Sequence, residues 1–138
     1  MESDELFDMI RRHEGLSDKI YLDSVGIATG GYGHAFIIGS HIPFDIAERF
    51  LQNDIQIAEQ NYKTLKLNLD EIRKMVIINM LFNLGLTRFV KFKKLLRALN
   101  ESNWQKAHDE MLNSRWAAQV GNRAKELAKI MLTGEYHK

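Results

Sequence analysis

The sequence predicts an α+β protein: mainly helical, with a small N-terminal antiparallel sheet lobe packed beside a helical lobe that surrounds a central buried helix. Three observations lead there. Apolar residues recur at three- and four-residue spacing over most of 1–14 and 43–138. Between about 15 and 42 that pattern gives way to short β-prone runs separated by glycine and Asp-Ser turn signals. The segment 69–83 is apolar nearly all round, as a helix enclosed by others is. At 138 residues, with 45% hydrophobic and 27% charged content, the chain has the size and composition of a single domain, 1–138, with a real core.

In chain order, Leu6, Phe7, Ile10 and His13 mark an amphipathic helix over 4–14, and Gly15 supplies its left-handed stop. The runs KIYL, GIA and GGYGHAFII then predict the sheet, with a hairpin turning near Val25 and Gly26. Helical spacing returns from Pro43, a good first-turn residue, through Ala47, Phe50, Leu51, Ala58, Tyr62 and Leu65. Asn68 with Glu71 three residues on predicts a capping box for the 69–83 helix, which Gly85 ends. Further helices are expected at about 88–99, 103–113 and 122–132, the last capped by Asn122.

Composition excludes several function classes. Nineteen basic residues against eighteen acidic leave a net charge of +1, which nominates no nucleic-acid partner. The richest apolar run, MVIINMLF at 75–82, is far too short for a bilayer, so no stable membrane association is expected. With no cysteine there are no disulfides, thiolate metal sites or thiol nucleophiles. His13, His41, His108 and His137 show no ligand spacing with carboxylates, so no metal site is expected. The start MESDELFDMI carries acids where a secretory signal carries bases. It predicts synthesis in the cytoplasm without a signal peptide.

The chemistry concentrates in HEGLSDKIYLDSVGIATGGYGH, residues 13–34. Glu14 closes a helix, where the macrodipole disfavours a second negative charge and, with apolar neighbours, raises a carboxyl pKa. A carboxylic acid still protonated near neutral pH can donate to a departing sugar oxygen. Asp23 follows on a short strand, and Thr29 returns on the opposite strand of the hairpin. A hydroxyl opposite a carboxylate can hold a water, and acid, carboxylate and held water together make an inverting glycosidase arrangement. Each residue has an ordinary rival role as a solvated helix end or turn former.

The pattern Glu14-x8-Asp23-x5-Thr29, followed at once by Gly30-Gly31-Tyr32-Gly33-His34, is similar to the active-site signature of phage lysozymes of the T4 type. Three further segments resemble that family in order: IINMLFNLG at 77–85, SRWAAQVGNRAKE at 114–126 and TGEY at 133–136. The resemblance implies a lysozyme-like fold and a muramidase that cleaves the β-1,4 bond between N-acetylmuramic acid and N-acetylglucosamine without a cofactor. It implies Glu14 as general acid, Asp23 as the group that orients or deprotonates water, and Thr29 as a holder of that water. Arg123 would pair with and orient Glu14. His34 and Asp54 would tie the small lobe to the long helix, a pair whose opposite pKa shifts give best stability at mildly acidic pH. Tyr32, Phe82 and Asn83 would contact sugar. On the residues alone Phe82 reads as core, since its neighbours on that helix are apolar, and Trp104 and Trp116 read as structural.

Two departures from the family stand out. Gly30 replaces the usual β-branched residue, and the segment from His34 to Pro43 is short. The expected partner is the glycan strand of peptidoglycan, met as a monomer after release from the (host) cytoplasm. The alternative reading is a non-catalytic peptidoglycan-binding or adaptor domain with the same fold.

Overall fold

A computed structural model describes residues 2–22, 26, 28–31, 34–35 and 39–137, without the side chains of 2–4, 6, 7, 14, 18, 20, 34 and 35. The chain divides into two units, Met1–Phe44 and Asp45–Lys138.

The first unit begins with α1 (Glu2–Glu14), which starts two residues earlier than its apolar spacing predicts and ends at Gly15 with φ +68°. The Gly15 N–H donates to the Arg11 carbonyl oxygen at 2.9 Å, closing the last turn as a left-handed glycine does. Three strands follow: β1 (Ser17–Leu22), β2 (Ala28–Gly31) and the two-residue β3 (His34–Ala35). They form an antiparallel sheet in the order β1-β2-β3. Tyr21 stands opposite Thr29 and Leu22 opposite Ala28, with an irregularity between Ser17 and Tyr21. Gly26, in the connection, takes φ +84°, a conformation glycine adopts without strain.

The second unit is helical: α2 (Phe44–Thr64), α3 (Glu71–Leu84), α4 (Leu86–Phe89), α5 (Lys93–Asn100), α6 (Trp104–Leu112), α7 (Arg115–Val120) and α8 (Asn122–Thr133). The α+β class predicted from the sequence therefore holds. The core joins Val76, Ile77, Met80 and Leu81 of α3 to Phe89, Leu95, Leu99, Met111, Trp116, Leu127 and Met131. Helix α8 packs against α3, α6 and α7, so it shares the central place expected of α3 alone.

Several boundaries differ from expectation, each for a local reason. Asp70, not Asn68, caps α3: its carboxylate accepts from the Arg73 backbone N–H at 3.2 Å. The single helix expected at 88–99 is two, because the backbone turns at Val90–Phe92. Helix α7 was not foreseen; Ser114 caps it by accepting from the Ala117 N–H at 3.1 Å. Gly121, not Asn122, precedes α8 as its N-cap residue, at φ +58°. Pro43 lies one residue ahead of α2. Of the apolar stripe on α2, only Ala58 and Tyr62 are buried, whereas Phe50 and Leu51 stay exposed.

Candidate active site

Within the first unit, α1 delivers Glu14 as its final helical residue, with Arg11, Arg12 and His13 in the same turn. Those basic side chains complement the negative helix end. Strand β2 presents Thr29, which is only 6% exposed and is the one polar residue buried among those described. A hydroxyl at that depth is an anchored group, not a solvated turn residue. Asp23 and Tyr32 lie outside the described residues, as do the carboxyl group of Glu14 and the imidazole of His34. Tyr21, across from Thr29, is exposed.

Within the second unit, α2, α3 and α8 enclose an open groove of about 710 Å³. Leu51 and Ile55 of α2 form one wall, and Ile72, Met75, Ile78 and Phe82 of α3 another. Glu59, Glu71, Lys74, Asn79 and Arg123 supply its polar groups. Positions 75, 78, 79 and 82 follow helical spacing along one face of α3, and that face is the open one. Met75 and Phe82 are 43% and 39% exposed. The core role expected for Phe82 is thereby corrected: its ring lines the groove. A helix can be apolar all round yet half open when its second apolar face borders a cleft instead of a neighbour.

Arg123 is partly buried at the groove and donates from Nε and Nη2 to the Asn79 side-chain oxygen, at 3.1 and 2.7 Å. One turn along α3, Asn83 accepts a 2.7 Å hydrogen bond from the Trp116 indole Nε1. Sequence reasoning missed Asn79 altogether. The available signal was the pair of amides four residues apart in the apolar stretch 75–84 of α3, which need partners there. Asp54 lies exposed on α2. Trp116 is buried as expected, and Trp104 is covered by the Arg73 guanidinium 4.1 Å from its ring centre.

The family model described as Phage lysozyme matches residues 11–130. The chain belongs to the phage lysozyme family. A Dictyostelium discoideum protein named "Probable T4-type lysozyme 1" is 30% identical over 92% of this chain and 93% of its own length. An endolysin of Acyrthosiphon pisum secondary endosymbiont phage 1 is 34% identical, over 79% of this chain and 75% of its own. An endolysin of Salmonella phage P22 is 31% identical, with 75% of each chain covered. Membership places the protein in a class of lysozyme-like peptidoglycan hydrolases.

Proposed function

We propose that this phage lysozyme family member is an active muramidase. It hydrolyses the β-1,4 bond between N-acetylmuramic acid and N-acetylglucosamine by general acid/base catalysis with inversion. The observation that carries this reading is the family match over residues 11–130, a range that includes Glu14, Asp23, Thr29 and Arg123.

In this mechanism Glu14 donates its proton to the leaving oxygen. Its place as the last residue of α1 supports that role by fixing the backbone from which the donor reaches the bond. Asp23 orients or deprotonates a water on the opposite face of the sugar, and Thr29 holds that water. The burial of Thr29 on β2 supports a fixed hydroxyl, since a positioned group contributes more than one free to turn. Arg123 is assigned the orienting of Glu14, the role that the family resemblance implies. The exposed edge of Phe82 and the amide N–H groups of Asn83, whose oxygen Trp116 occupies, suit contact with a sugar ring and its acetamido group. Tyr32 adds a stacking surface, and His34 with Asp54 steadies the sheet. The protein acts on glycan strands as a monomer, after release from the compartment that makes it.

Digestion of purified peptidoglycan, followed by mass analysis of the fragments, tests the bond. Fragments with N-acetylmuramic acid at the reducing end support the proposal. Fragments ending in N-acetylglucosamine, or none, contradict it.

A further inference from the structure

The near-balanced net charge hides an uneven distribution. Between positions 88 and 97 the chain carries Arg88, Lys91, Lys93, Lys94 and Arg97 and no acid. Five of the nineteen basic residues fall there, so the rest of the chain holds fourteen against eighteen acidic ones. A locally positive surface thus rides on a body of opposite sign.

The fold keeps this run outward. Helix α5 buries Leu95, Ala98 and Leu99 on its inner face, which turns Lys93, Lys94 and Arg97 to solvent. All five cations are exposed. None has an ion-pair partner among the described residues, whereas Lys106 nearby is held by Glu110 at 3.5 Å. Two shallow clefts, of about 310 and 210 Å³, flank Lys94. Val90, 40% exposed, adds an apolar contact between the cations. None of the five lines the groove of the candidate active site.

We propose that the α4–α5 surface docks reversibly on a bilayer rich in anionic phospholipid. Five clustered cations, three of them on the amphipathic α5 and two just ahead of it, suit such a surface. Unpaired, flexible cations gain most from a dense array of headgroup phosphates and release its counterions. Single-stranded nucleic acid fits less well: Phe89 is buried and Phe92 partly so, leaving this patch no exposed aromatic on which bases could stack; duplex DNA is the competitor in the test below. Among the described residues no helix is long and apolar enough to cross a membrane, so the contact is peripheral and sensitive to salt.

Co-sedimentation with vesicles of phosphatidylcholine, alone or mixed with phosphatidylglycerol, tests the proposal on the full chain. Wild type should bind the mixed vesicles and ignore the neutral ones. Binding should vanish as salt rises from about 0.1 M to about 1 M, which shortens the screening length from about 10 Å to about 3 Å. The triple variant K91Q/K93Q/K94Q should lose about a hundredfold in affinity, with its melting curve and peptidoglycan digestion unchanged. The double variant R88Q/R97Q gives an independent readout should the triple variant unfold. Binding to neutral vesicles, or variants that bind as tightly as wild type, would overturn the proposal. So would duplex DNA held as tightly as the anionic vesicles at equal salt.

Discussion

Arg123 on α8 commits two N–H groups, Nε and Nη2, to one acceptor on α3, the side-chain oxygen of Asn79, at 3.1 and 2.7 Å. Two bonds to one atom fix the plane of the guanidinium, and with it the direction of the N–H groups left over. Asn79→Ala should therefore slow peptidoglycan digestion by about tenfold or more through misplacement. The same change should cost about 1–2 kcal/mol of stability for the lost charged hydrogen bonds. Digestion rates and denaturant unfolding of the variant check both halves. An unchanged rate with lowered stability would make the bond purely structural.

Arg73 closes the far end of the same helical layer. Its Nε donates to the Met131 carbonyl oxygen at 2.7 Å and its Nη2 to that of Leu132 at 3.2 Å, satisfying carbonyls in the last turn of α8. Gly134 lies against it: at φ +73° an added Cβ would meet Arg73 Nη1 at 2.9 Å. Arg73→Lys, which keeps the charge but loses the fork and the stack on Trp104, should destabilise by about 1–2 kcal/mol. Gly134→Ala should also destabilise, and by less in an Arg73→Ala background, because the steric part disappears while the left-handed backbone penalty of about 1–2 kcal/mol stays. Urea unfolding of the four proteins measures the coupling.

Asp70 carries a pH signature. Partial burial works to raise its pKa, yet the backbone and side-chain hydrogen bonds from Arg73 outweigh it and hold the group below the usual 3.8. A depressed carboxylate stabilises the fold above its unfolded pKa and loses that contribution as pH falls through the folded one. Asp70→Asn, which keeps a capping oxygen but not the charge, should therefore melt below wild type at neutral pH. The gap should close as pH falls below about 4. Thermal melts at a series of pH values test the sign; a gap that widens in acid would contradict it.

Trp116 and Asn83 join α7 to α3 through the 2.7 Å indole bond. Trp116→Phe should cost about 1 kcal/mol for the lost hydrogen bond, and Trp116→Ala about 3–5 kcal/mol because the ring is buried. Equilibrium unfolding distinguishes them, and equal losses would remove the hydrogen bond from the account.

The class of fold and the C-terminal ends of α1 and α3 were legible because apolar spacing and glycine stops are local properties. The α4–α5 break and α7 were not. Val90 and Phe92 are compatible with a helix, and only the packing of Phe89 and Leu95 into one core favours the turn between them. Asp70 and Asn68 are equally good cap residues in isolation; the side chain of Arg73, engaged at the end of α8, favours Asp70. Phe82 misled for a related reason, since hydrophobicity alone does not distinguish a core wall from a groove wall. The burial of Thr29 on β2 could not be read from the turn-like sequence around it, and the Asn79–Arg123 bond depends on two helices 44 positions apart meeting.

The most direct measurement concerns the proton donor. Wild type should clear suspensions of chloroform-treated Gram-negative cells, and Glu14→Gln, with a melting curve like wild type, should fail to do so. Equal clearing by the two proteins would contradict the account, because an amide at position 14 has no acidic proton to give.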